Sequence, residues 1–174
     1  MKKVSAYLLL ASTAISLFLM FKPSAINTKD ETAAITMLMN DWHAAAAKAD
    51  FDGYFSKISE EGRYLGTDAT ENWDKKAFIA FSKPNFDKGK AWDFKALERN
   101  IYFSKDAKTA WFDELLDTKN MKICRGSGVL EKEGKQWKIK HYVLSMTVPN
   151  EVSNDVLPLK AKYEDAIINK LKKY

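Results

Sequence analysis

Between residues 93 and 148 four stretches of strand character follow one another with almost nothing between them. Asp93 to Ser104, Thr109 to Asp117, Met121 to Glu131 and Gln136 to Val148 are separated by Lys105-Asp106-Ala107-Lys108, Thr118-Lys119-Asn120 and Lys132-Glu133-Gly134-Lys135. Parallel neighbours need crossovers of about a dozen residues or more. Three short polar turns in succession therefore predict an antiparallel meander. A sheet of this kind has one face to cover, and the covering elements must come from the rest of the chain.

They are visible upstream. From Asp30 to Ala49 the residues Ile35, Leu38, Met39, Trp42, Ala46 and Ala49 recur at spacings of three and four, which buries one face of a helix. Thr28 or Asp30 is placed to cap it. A short second helix is expected from Phe51 to Lys57, with Asp50 as cap and Tyr54 and Phe55 toward the core. Glu61 to Gly66 reads as a brief strand entering the loop Thr67 to Asn72. A third helix, from Trp73 or Asp74 to Ser82, presents Ala77, Phe78 and Phe81 on one side. Helices first and a curled sheet second is an α+β layout. In the tail, Val156, Leu159, Tyr163, Ile167 and Leu171 share a helical stripe, and Pro158 is acceptable there only in the first turn. This extra helix is expected to pack on the domain or on a partner chain.

Residues 1–25 have a different character. Lys2 and Lys3 precede an apolar run from Ala6 to Phe21, the pattern of a signal peptide for export to the periplasm or the exterior. If uncleaved, that segment would be the chain's contact with a membrane. Its removal leaves 149 of the 174 residues, the size of one domain, divided into a core over 30–148 and the C-terminal extension 149–174. The segment carries three lysines and no acid, so the net charge falls from +5 to +2. The remaining lysines are interspersed with acids rather than gathered as a phosphate footprint, so no nucleic acid is expected. Cys124 is the single cysteine, which excludes an intrachain disulfide and leaves the fold to its core.

The order of elements, together with several local motifs, resembles the SnoaL-like group of the nuclear transport factor 2-like superfamily. The resemblance runs from about Glu31 to Val148. It is carried by Asp41-Trp42-His43-Ala44-Ala45-Ala46 and Asp50-Phe51 in the first helices and by Tyr64-Leu65-Gly66-Thr67-Asp68 before the third. Three strand motifs complete it: Ala110-Trp111-Phe112-Asp113-Glu114, Arg125-Gly126-Ser127-Gly128-Val129-Leu130, and Trp137-Lys138-Ile139-Lys140-His141-Tyr142-Val143-Leu144-Ser145. The resemblance implies a cone of curved sheet closed by helices, a pocket inside it and homodimerisation through the sheet. It does not imply catalysis, because the family spans isomerases, cyclases, dehydratases and assembly domains.

Alternation along the last strand places Trp137, Ile139, His141, Val143 and Ser145 on one face. That face holds no lysine, so it is expected inside, with His141 as a candidate general base. On 109–117 parity leaves two choices. Asp113 with Trp111, or Glu114 with Phe112, faces inward; Asp113 is preferred, beside Trp111 as a wall. Arg125 could pair with Asp113 or hold an anionic group, and a structural ion pair is the plainer reading. Gly126 and Gly128 within a strand suggest bending or close backbone approach. His43 either turns to the cone mouth or completes the helix packing, and Tyr64 lies deeper.

The candidate catalytic pair is thus His141 and Asp113, and the candidate ligand-binding set His43, Tyr64, Trp111, Asp113, Arg125 and His141. The histidines have no cluster of acids or cysteines at ligand spacing, so no metal is expected, and no phosphate or dinucleotide fingerprint points to a cofactor. A partly hollow cone lined by rings suits a small apolar or aromatic molecule. Two other readings stand beside it. One is proton-transfer chemistry with His141 or Asp113 as base and Tyr64 or Arg125 polarising a carbonyl. The other is a cell-envelope interaction module that uses the C-terminal helix.

Overall fold

A computed structural model describes residues 28–173. The expected export segment, 1–25, lies outside the described residues, and no described helix is long and apolar enough to cross a membrane. Helix α1 (Thr28–Ala47) buries Ile35, Met39, Trp42, His43, Ala45 and Ala46, the face its periodicity marks. Helix α2 (Phe51–Phe55) is capped as expected, the Asp50 carboxylate accepting from the Gly53 N–H at 2.9 Å. Strands β1 (Ile58–Leu65) and β2 (Asn72–Asp74) form a small antiparallel pair. Helix α3 (Lys75–Asp87) begins on the Asp74 cap.

Helix α3 runs five residues past the expected end at Ser82 and carries Pro84 inside it. Proline removes one backbone hydrogen bond there. Continuing the helix brings buried Phe86 against Phe51, Tyr54, Phe55 and Trp92, at ring separations of 5.4 to 5.8 Å, and this packing outweighs the break.

The four long strands β3 (Phe94–Phe103), β4 (Thr109–Thr118), β5 (Lys122–Glu133) and β6 (Gln136–Met146) form the expected antiparallel meander. In the six-stranded curved sheet the order is β2-β1-β6-β5-β4-β3. Strand β1 pairs parallel to β6, a pairing that local sequence does not announce. The helices cover one face, where Phe112, Leu116, Cys124, Leu130, Ile139, Tyr142 and Leu144 are buried.

Two bulges set which side chains reach that face. On β6, Ile139 stands opposite Leu130 and His141 opposite Val129, so Lys140 is the extra residue. On β3 the register shifts between Ala96 and Glu98, making Leu97 the extra residue. One inserted residue reverses the alternation beyond it.

Helix α4 (Ser153–Leu171) follows a single 3-10 turn, Asn150–Val152. Its Pro158 sits beyond the first turn, contrary to expectation. Leu157, Leu159, Tyr163 and Leu171 are each more than 60% exposed, so most of its apolar stripe is uncovered by the described domain.

Candidate functional site

Glu114, rather than Asp113, points from β4 under the helices. Phe112 and Leu116 accompany it, while Trp111, Asp113 and Leu115 lie on the outer face. The preference for Asp113 inward is thereby corrected. Both faces of β4 are rich in apolar residues and each carries one acid, so pattern alone could not choose. The Glu114 carboxylate satisfies four donors. Oε1 takes the His43 Nε2 at 2.9 Å and the Tyr142 hydroxyl at 3.1 Å. Oε2 takes Nε and Nη2 of Arg99 at 2.9 and 2.7 Å. Arg99 also donates to the Asn40 side chain and the Thr36 carbonyl, tying the network to α1. Burial pushes the Glu114 carboxyl pKa up. The hydrogen bond and charge of His43, with the Arg99 guanidinium, outweigh that and hold it below the ordinary value.

The bulges assemble this hub. Unbroken alternation from Trp137 would carry His141 inward; the extra Lys140 turns Tyr142 in and His141 out. On β3 the extra Leu97 turns Arg99 inward, where it stands opposite Glu114.

His141, Asp113, Trp111 and Arg125 therefore share the outer face of the sheet, not a cavity. His141 stands beside Arg63 and Val129 in register, Asp113 beside Ser127 and Asn100. With β5 between their strands and an offset of two residues along them, the two are separated by about 12 Å. The register thus disassembles the expected acid and base pair. Asp113 accepts from the Asn100 side chain at 3.2 Å, and Arg125, exposed, faces Leu115 and Ser145 across the sheet.

A cleft of about 680 Å³ opens at one end of the sheet. Three connections rim it: Gly66, Thr67 and Glu71 after β1, Ala91 to Asp93 before β3, and Lys119 to Met121 between β4 and β5. Its walls are Tyr64, Trp73, Phe78, Phe81 and Trp92, with Leu144 reaching in from β6. The rings form a layered column. Tyr64 lies on Phe78 at 4.0 Å and 13°, Trp73 on Phe81 at 4.4 Å and 24°, and Phe78 near Trp92 at 5.8 Å and 27°. Within the column Tyr64 and Phe78 are buried, while Trp73, Phe81 and Trp92 remain partly exposed along the cleft.

Of the sequence-derived ligand set only Tyr64 lines this cleft; the loop after β1 contributes Thr67 and Glu71. His43 is buried in the hub and borders a separate depression between α1 and β3. Trp73, Phe78 and Phe81 are recognisable from sequence as aromatics at or in the third helix, but nothing local marks them as converging with Trp92. Among the described residues no cluster of three or more metal-binding side chains occurs.

Known proteins place this architecture. A family model described as SnoaL-like domain matches residues 35–149. No curated protein sequence matches the chain. Among solved structures, a nuclear transport factor 2-like protein of unknown function from Pseudomonas putida KT2440 superposes with a TM-score of 0.60. It is 16% identical, and the match covers 73% of this chain and 93% of that one. A cystatin-like domain of unknown function from Nostoc punctiforme gives 0.61 at 16% identity, covering 86% and 100%. A candidate dehydratase of the nuclear transport factor 2-like family from Streptomyces avermitilis gives 0.61 at 8% identity, covering 71% and 100%. At these identities the likeness shows the fold alone. With the family match spanning most of its length, the chain belongs to the SnoaL-like domain family.

Proposed function

We propose that this protein binds a small, flat, mainly apolar molecule in the aromatic cleft and does so as a homodimer joined through the outer sheet face. The convergence of five aromatic side chains on one cleft of about 680 Å³ carries the reading. Its size and its few polar rim groups match small-molecule sites generally. Dimerisation is supported by the outer face, where Trp111 and Tyr102, 47% and 46% exposed, stack at 6.0 Å beside half-buried Val129. Proton-transfer chemistry has less support. The His43 and Glu114 pair is saturated by Arg99 and Tyr142 and lies outside the cleft lining.

Native mass spectrometry of the protein purified from its source tests the proposal. The expected species is two chains with a retained small molecule. A ligand-free protein that also fails to take up any planar aromatic compound contradicts it.

A further inference from the structure

We propose that helix α4, with the exposed apolar residues that lead into it, is a docking surface for an anionic lipid bilayer. The helix lies on the bilayer rather than across it, since no described helix is long and apolar enough to cross a membrane. It begins beyond the family match, which ends at residue 149. The surface is independent of what the cleft binds.

Apolar side chains left in water gather at this end of the chain. Of the fourteen exposed large apolar residues among those described, eight fall between Met146 and Leu171, less than a fifth of the described chain. They begin with Met146 and Val148, at and just past the end of β6, continue with Val152 in the 3-10 turn, and run on along α4 from Leu157. Only that adjoining turn makes more than marginal contact with α4. At 3.6 residues per turn, Leu159 and Tyr163 lie to one side of half-buried Val156 and Ile167, and Leu157 and Ile168 to the other. Together they cover about half the circumference. A helix that packs along one partner helix shows a narrower stripe, whereas a bilayer interface accepts the whole arc at once. Lys160 and Glu164 interrupt the arc, but they pair at 2.6 Å and add no net charge to it. Lys170 falls near its edge, where a long stem lets the ammonium reach the headgroups.

Charge selects the lipid. Residues 153–174 hold five lysines and three acids, a net +2, while residues 26–152 hold equal numbers of basic and acidic side chains. The whole positive excess outside the expected export segment therefore sits on α4 and the residues just after it. Lys170, Lys172 and Lys173 stand together with no acid among them. Lysines grouped beside exposed apolar side chains bind anionic headgroups while the apolar side chains enter the acyl boundary. The helix leaves the domain at its cleft end, because β6 carries Leu144 into the cleft and ends two residues later. The Asp68 carboxyl, on the loop after β1, is held below its ordinary pKa by the Thr70 hydroxyl and N–H. Lys160 contributes a smaller part, which places α4 near the cleft rim. Docking of α4 therefore holds the cleft end of the domain toward the membrane.

A label on the helix tests this. Cys124 is buried, so Leu159→Cys in the full chain takes an environment-sensitive NBD label on α4 alone, and the label reads α4 rather than residues 1–25. With vesicles of equal parts phosphatidylglycerol and phosphatidylcholine, its emission should rise and shift to the blue. Pure phosphatidylcholine vesicles should bind at least about tenfold more weakly. Adding Lys170→Gln, Lys172→Gln and Lys173→Gln should weaken binding to the anionic vesicles by about tenfold or more. Thermal unfolding of that variant should match its parent, because all three lysines are exposed. An emission unchanged by either lipid, or equal binding to the two compositions, overturns the proposal. So does an emission already blue-shifted without lipid: if it fades on dilution a second copy covers the stripe, and if it persists the domain covers it.

Discussion

Arg99 delivers two of its N–H groups, at 2.9 and 2.7 Å, to a single oxygen of Glu114, and both side chains are under 10% exposed. The contact joins the edge strand β3 to its neighbour beneath α1, while the second oxygen of Glu114 is held by His43 and Tyr142. A carboxylate with four donors is fixed in place, and its role is to lock helix, edge strand and β6 together.

Glu114→Ala is expected to destabilise the fold by about 3–5 kcal/mol, since it leaves Arg99 as an uncompensated buried charge. Glu114→Gln should cost less, because its amide oxygen still accepts. Urea unfolding of the two variants measures the difference, and an Ala variant within about 1 kcal/mol of wild type would contradict the hub.

The same carboxylate makes stability depend on acid. Its folded pKa lies below the ordinary value, so its contribution is complete above about pH 4.3, where the unfolded residue is ionised. The contribution is lost as pH falls through the depressed folded value. Unfolding free energy measured from pH 6 downward should therefore decline below about pH 4.3, and less steeply in Glu114→Gln. Parallel profiles would count against the assignment.

Gly128 stands where β5 leaves no room for a side chain against β6. A Cβ built there would lie 2.3 Å from the His141 carbonyl oxygen and 2.9 Å from the Phe112 ring. The first contact is backbone that cannot swing away, so Gly128→Ala should destabilise by about 1–3 kcal/mol, the range of overpacked cores. Thermal unfolding checks it, and an unchanged midpoint would refute the predicted clash.

What was legible follows from what was local. The meander could be read because three turns were too short for anything else. The close approach at Gly126 and Gly128 was equally plain. The parallel pairing of β1 with β6 joins residues 78 to 81 positions apart and leaves no local mark. The bulges at Leu97 and Lys140 were also invisible, since neither position carries a glycine. A register unbroken at Lys140 gives the His141-inward face expected from alternation; the bulge gives Tyr142 instead. The candidate site moved accordingly, from strand residues to an aromatic convergence built by β1, β2, α3 and the α3–β3 connection, of which Tyr64 was the recognised member.

Trp111→Glu should leave the monomer fold intact and dissolve the dimer, because Trp111 is about half exposed and packs outward on Tyr102. Light scattering across a concentration series reads the mass directly. A wild type that is monomeric throughout would refute the proposed interface, and so would a Trp111→Glu protein that remains dimeric.

If the column of rings at the cone mouth holds the ligand, as proposed, Trp73, stacked on Phe81 within it, is the residue to remove. The deciding measurement is a calorimetric titration of wild type and Trp73→Ala with 1-naphthol. Saturable binding of one molecule per chain, weakened about tenfold or more in the variant, is the predicted result. Absence of binding to wild type, or equal affinity in the two proteins, would contradict it.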